Sequence, residues 1–130
     1  MRTVLVVDDE FGVAEVLESI LTDAGYNVVS AINGRQGLAR LSKARPDVVL
    51  LDFMMPLVNG PAMLRAMAAD PAYRTIPVIM MSSLDEETVR RECDRFAAFL
   101  RKPFRASAVR DAVARVLDNN RGSDDVSDLS

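Results

Sequence analysis

Five short apolar runs divide this chain at nearly regular intervals, and they limit its fold more than any other feature. They are Val4-Leu5-Val6-Val7, Val28-Val29, Val48-Val49-Leu50-Leu51, Val78-Ile79-Met80-Met81 and Ala98-Phe99-Leu100. They read as five strands, and several are apolar without alternation, the pattern of strands covered on both faces. Between them apolar residues recur at helical spacing. Val13, Val16, Leu17, Ile20, Leu21 and Ala24 mark a first helix, with Gly25 as its stop. Leu38 and Leu41 mark a second that Asn33 can cap, and Pro61 opens a third through Met63, Leu64 and Met67. Ser83-Leu84-Asp85-Glu86 reads as a capping box opening a fourth, while Ala106 to Leu117 forms the fifth. This (βα)5 alternation predicts an α/β fold, a five-stranded parallel sheet between helical layers with right-handed crossovers. Residues 1–118 then form one domain, and the polar stretch 119–130 is expected to be a disordered tail.

Composition removes whole classes of chemistry. The chain of 130 residues contains no histidine, so imidazole bases, Ser-His-Asp triads and a phosphohistidine of its own are excluded. One cysteine, Cys93, cannot form an internal disulfide, which points to the reducing cytoplasm. Sixteen basic against nineteen acidic residues leave a net charge of −3, unsuited to binding a phosphate backbone. No apolar run reaches the roughly 18 residues of a membrane span. Neither a nucleic acid nor a membrane is therefore expected as a partner.

In open parallel sheets, sites form beyond the carboxyl ends of the strands. Asp8 and Asp9 follow the first apolar run, Asp52 ends the third, Ser82 and Ser83 follow the fourth, and Lys102 stands two residues past the fifth. Three carboxylates, a hydroxyl and one ammonium thus share an edge. Crowded carboxylates repel, and a divalent cation relieves them. All-oxygen donors select a hard ion such as Mg2+. Metal, lysine and hydroxyl around a carboxylate form an apparatus for phosphoryl transfer, with the carboxylate as nucleophile.

Val4-Leu5-Val6-Val7-Asp8-Asp9-Glu10, Asp47 through Pro56 with Gly60, Pro77 through Ser83, and Lys102-Pro103-Phe104 together resemble the receiver domain of bacterial two-component response regulators, over about residues 3 to 117. The resemblance implies a flavodoxin-like sheet with strand order 2-1-3-4-5. It implies that Asp52 is the phosphoacceptor and that Asp8, Asp9, Asp52 and the backbone carbonyl of Met54 serve Mg2+. Ser82 becomes the switch hydroxyl, Lys102 the cation that pairs with the phosphoryl group, and Phe99 the switch aromatic. The implied donor is a phosphohistidine on a histidine kinase or phosphotransfer protein. The implied output is a partner bound through the fourth helix, fifth strand and fifth helix, where seven arginines from Arg90 to Arg115 also admit a weak homodimer as well as a monomer. The chain is read as a switch that catalyses its own modification, not as an enzyme acting on a separate substrate.

There are departures from the family pattern. Arg95-Phe96-Ala97-Ala98 replaces the usual Gly-Ala before the fifth strand, so the fourth helix or its exit is altered. Arg105 stands where an acidic cap is usual, weakening the start of the fifth helix by about 1 kcal/mol. Apolar Met54 and Leu84, two residues after Asp52 and Ser82, cannot orient water, and slow loss of the phosphoryl group is expected. Competing readings are a receiver that only docks proteins, a receiver cut from a longer regulator, an aspartate-nucleophile phosphatase and a flavodoxin-like nucleotide binder. The phosphatase lacks its second acid at Met54, and Gly34-Arg35-Gln36-Gly37 is no phosphate loop. Taken singly, Asp8-Asp9 is a solvated turn, Lys102 a surface lysine, Phe99 plain core, and Ser82 a helix cap, a task Ser83 can take instead.

Overall fold

A computed structural model describes residues 1–129, with side-chain surroundings given through Asn120. The elements alternate as β1 (Thr3–Val7), α1 (Phe11–Asp23), β2 (Asn27–Ala31), α2 (Gly34–Ala44), β3 (Val48–Asp52), α3 (Gly60–Ala69), β4 (Val78–Ser82), α4 (Glu86–Glu92), β5 (Ala98–Arg101) and α5 (Ala106–Leu129). The sheet is parallel throughout, in the order β2-β1-β3-β4-β5. Chain order reverses direction at β1, so the loops after β1 and β3 part there and open a crevice at the carboxyl edge.

The apolar runs become strands because helices cover both faces. Leu5, Val7, Leu51 and Met80 pack under α2, α3 and α4 with Leu41, Met63, Met67 and Val89. Val4, Val6, Leu50 and Ile79 pack on the other face with Leu17 and Leu21 of α1 and Val109, Val113 and Leu117 of α5. All five residues of β3 and of β4 are buried, which explains why these runs never alternate.

Several local expectations hold. Asn33 caps α2 by accepting from the Gln36 amide at 2.8 Å, and Pro61 occupies the first turn of α3 behind the cap Asn59. Gly25 follows α1 at φ +96°, a conformation that costs a side-chain-bearing residue energy.

Others are corrected. Val16 shares the helical spacing that marks α1 but is 54% exposed, and the buried residues of that helix are Leu17 and Leu21. The cap of α4 is Asp85, not Ser83: the Thr88 amide donates to Asp85 Oδ1 at 2.8 Å, and that bond holds the Asp85 carboxyl below its ordinary pKa. Helix α5 does not stop at Leu117. Periodicity marks where burial ends, whereas backbone hydrogen bonding continues to Leu129. The tail expected over 119–130 falls almost wholly on residues outside the side-chain description. Among the described residues, no helix is long and apolar enough to cross a membrane.

Candidate functional site

Strand pairing runs past the strand ends and brings the chemistry together. The Asp8 amide donates to the Ala31 carbonyl at 3.1 Å, the Phe53 amide to Met81 at 2.8 Å, and the Lys102 amide to Ser82 at 2.8 Å. Each bond extends a ladder by one residue, so Asp8, Asp52, Ser82 and Lys102 leave the sheet at one level. Gly60 is part of this construction. A Cβ there would lie 2.6 Å from the Asp52 carbonyl oxygen, so only glycine lets α3 start against the backbone of the acidic strand end.

Asp8 is wholly buried, Asp52 is 5% exposed and Ser82 is 3% exposed. Lys102 Nζ donates to Asp8 Oδ2 at 2.7 Å and lies 3.4 Å from Asp52 Oδ1 and 3.5 Å from Glu10 Oε1. The other oxygen of Asp8 accepts from the Glu10 amide at 2.9 Å. Exposed Asp9 completes the group: oxygens of Asp8, Asp9, Glu10 and Asp52 all lie within 4.8 Å of one another. Sequence reasoning gives Glu10 no role, and the signal for its place in the group is its adjacency to the acidic pair Asp8-Asp9.

One ammonium cannot balance four carboxylates. Burial, then the charge of Asp8, push the Asp52 carboxyl up to about 7 against the opposing pull of Lys102. Burial draws the Lys102 pKa down, but the Asp8 bond and the charges of Asp52, Asp8 and Glu10 outweigh it and hold it above the ordinary lysine value. A crowded set of hard oxygen donors with surplus negative charge fits a small divalent cation.

Beside the carboxylates lies a recess of about 600 Å3, walled by Val13, Val16, Met54, Pro103 and Phe104, with Ser82 and Lys102 in its lining. The Ser82 hydroxyl accepts from the Leu84 amide at 3.0 Å. Met54 is at the rim with its side chain 67% exposed. Phe99 is not in the site: half-buried on β5, it packs beneath α4, its ring centroid 6.2 Å from that of Phe96.

Residues 4–114 match the response regulator receiver domain. The chain belongs to this family. This receiver is 34% identical over 116 residues to the sporulation initiation phosphotransferase F of Bacillus subtilis, covering 88% of this chain and 92% of that protein. It is 34% identical over 119 residues to the chemotaxis protein CheY of Thermotoga maritima, covering 88% and 97%. The structure of the Vibrio cholerae chemotaxis protein CheY4 superimposes with a TM-score of 0.83 at 32% identity, over 89% of this chain and 98% of that one. The receiver also matches 30% of the longer NtrX chain from Brucella abortus, with a TM-score of 0.90 at 28% identity. These likenesses agree with the strand order 2-1-3-4-5 and with a place in two-component phosphorelay signalling.

Proposed function

We propose that this receiver is a phosphorylation-dependent switch that takes a phosphoryl group onto Asp52 from a phosphohistidine of a kinase or phosphotransfer partner and then controls a further protein. The single observation that carries this reading is the convergence of Asp52, Asp8, Asp9 and Lys102 at one strand edge. Asp52 presents an oxygen nucleophile that attacks phosphorus as the P–N bond to the donor breaks. Asp8, Asp9 and Asp52, with the Met54 carbonyl, would hold Mg2+, which supplies positive charge to the equatorial phosphoryl oxygens. Lys102, already 3.4 Å from Asp52, contributes the second positive charge. Ser82 carries a hydroxyl that can leave the Leu84 amide and donate to a phosphoryl oxygen.

The switch is a population shift. A phosphoryl group adds negative charge and acceptors that Ser82 and Lys102 satisfy in only one arrangement, and that arrangement gains weight. Phe99 turns inward as Ser82 leaves. Met54 and Leu84, 67% and 39% exposed, flank the site with apolar side chains and slow the attack of water.

Incubation with Mg2+ and a small acyl-phosphate donor, read by intact mass, tests the assignment. The wild-type protein gains one acid-stable, base-labile phosphoryl group. The Asp52→Asn variant gains none, and an adduct that persists in it overturns the assignment.

A further inference from the structure

Phe96 stands in the loop between α4 and β5, and the structure shows what it does there. Its side chain is 6% exposed and belongs to the core cluster that contains Val89, the one buried residue of α4. On one side it meets Phe99, with ring centroids 6.2 Å apart and planes inclined by 41°. The guanidinium of Arg90, on α4, stands 4.2 Å from its ring centre, a cation–π distance. Arg90 is itself held by Glu86 at 2.7 Å. A continuous packed path therefore runs Phe99–Phe96–Arg90–Glu86, from β5 to the start of α4.

The inner end of this path lies on the sheet face that carries Ser82. Phe99 is in register with Met80, and Arg101 with Ser82. Side chains alternate along a strand, so Met80, Ser82 and Phe99 share one face of the sheet, the face covered by α4. Helix α4 has only seven residues and one buried side chain, so few contacts besides this path fix its position.

We infer that Phe96 is a positioning residue that couples the ring of Phe99 to helix α4, so that the state of Asp52 is reported on the α4 surface through Phe99, Phe96 and Arg90. This rests on the reading of Asp52 as phosphoacceptor. It adds that the report travels through a side chain in the loop before β5, and that without the ring and its cation the site still changes while α4 follows less.

The test is amide NMR of the full chain with and without Mg2+ and beryllofluoride, a phosphoryl mimic. The wild-type protein is expected to respond both at Ser82 and Lys102 and at Val89 to Cys93. In Phe96→Leu, which keeps an apolar side chain in the core, the response at Ser82 and Lys102 persists while that of α4 falls roughly twofold or more. Arg90→Gln, a change on the exposed side of α4, gives an intermediate loss, and Arg90→Lys restores part of it. It also carries the test if Phe96→Leu fails to fold. An α4 response of wild-type size in these variants overturns the coupling, as does a wild-type protein that responds at Ser82 but not on α4. Silence at Ser82 and Lys102 in the wild-type protein is a different failure, since it overturns the phosphoacceptor reading and the coupling with it.

Discussion

Lys102 Nζ sits 2.7 Å from Asp8 and 3.4 Å from Asp52, so the ammonium leans toward the wholly buried carboxylate and away from the one proposed to react. Removing it strands Asp8. Lys102→Met is expected to lower stability at neutral pH by roughly 3–5 kcal/mol, the cost of an uncompensated buried charge. Urea unfolding measures it. Asp8→Asn in the same chain recovers much of the loss, and a second substitution that deepens it counts against this account.

The raised Asp52 pKa makes a statement about stability. Unfolded, the carboxyl ionises near 3.8; folded, near 7. Between these values the native state holds the extra proton, so metal-free stability falls as pH rises from about 4 to about 7 and levels off above. Asp52→Asn removes this slope and is more stable than the wild-type protein at pH 8, by on the order of a few kcal/mol. Parallel urea titrations across this range decide it, and identical slopes for both proteins would refute the shift.

Cation binding competes with the same proton. Mg2+ affinity is expected to rise with pH up to about 7, with proton release on binding below that value. Calorimetry in two buffers of different ionisation enthalpy reads the released proton. Saturating Mg2+ also raises the melting temperature, more at pH 8 than at pH 5.

Gly60→Ala puts a methyl group 2.6 Å from the Asp52 carbonyl oxygen. The expected loss is about 1–3 kcal/mol, the usual range for overpacking, with slower phosphorylation because the strand end must move. Thermal unfolding and the acyl-phosphate assay together separate these effects. Gly12→Ala is the control, since a Cβ at Gly12 meets nothing within 4 Å.

Met54 and Leu84 set the expected lifetime of the acyl phosphate. Replacing them with Met54→Asn and Leu84→Glu supplies groups that can orient water, and loss of the phosphoryl group is expected to quicken roughly tenfold or more. An unchanged decay rate shows that these side chains do not control the attacking water.

The alternation of apolar runs and helical stripes was enough to determine the parallel sheet, and with it the level at which Asp8, Asp52, Ser82 and Lys102 emerge, because a strand's end is a local property of its own residues. Asn33, Pro61 and Gly25 were legible for the same reason. Only the tertiary structure decided that Lys102 pairs first with Asp8, that Glu10 joins the group, that Val16 faces out, and that Phe96 bridges Phe99 and Arg90. Those outcomes depend on which surfaces several distant segments leave uncovered once packed. The position of Asp52 follows from one strand, but its proton affinity follows from burial and from what Asp8, Lys102 and Asp9 bring to it.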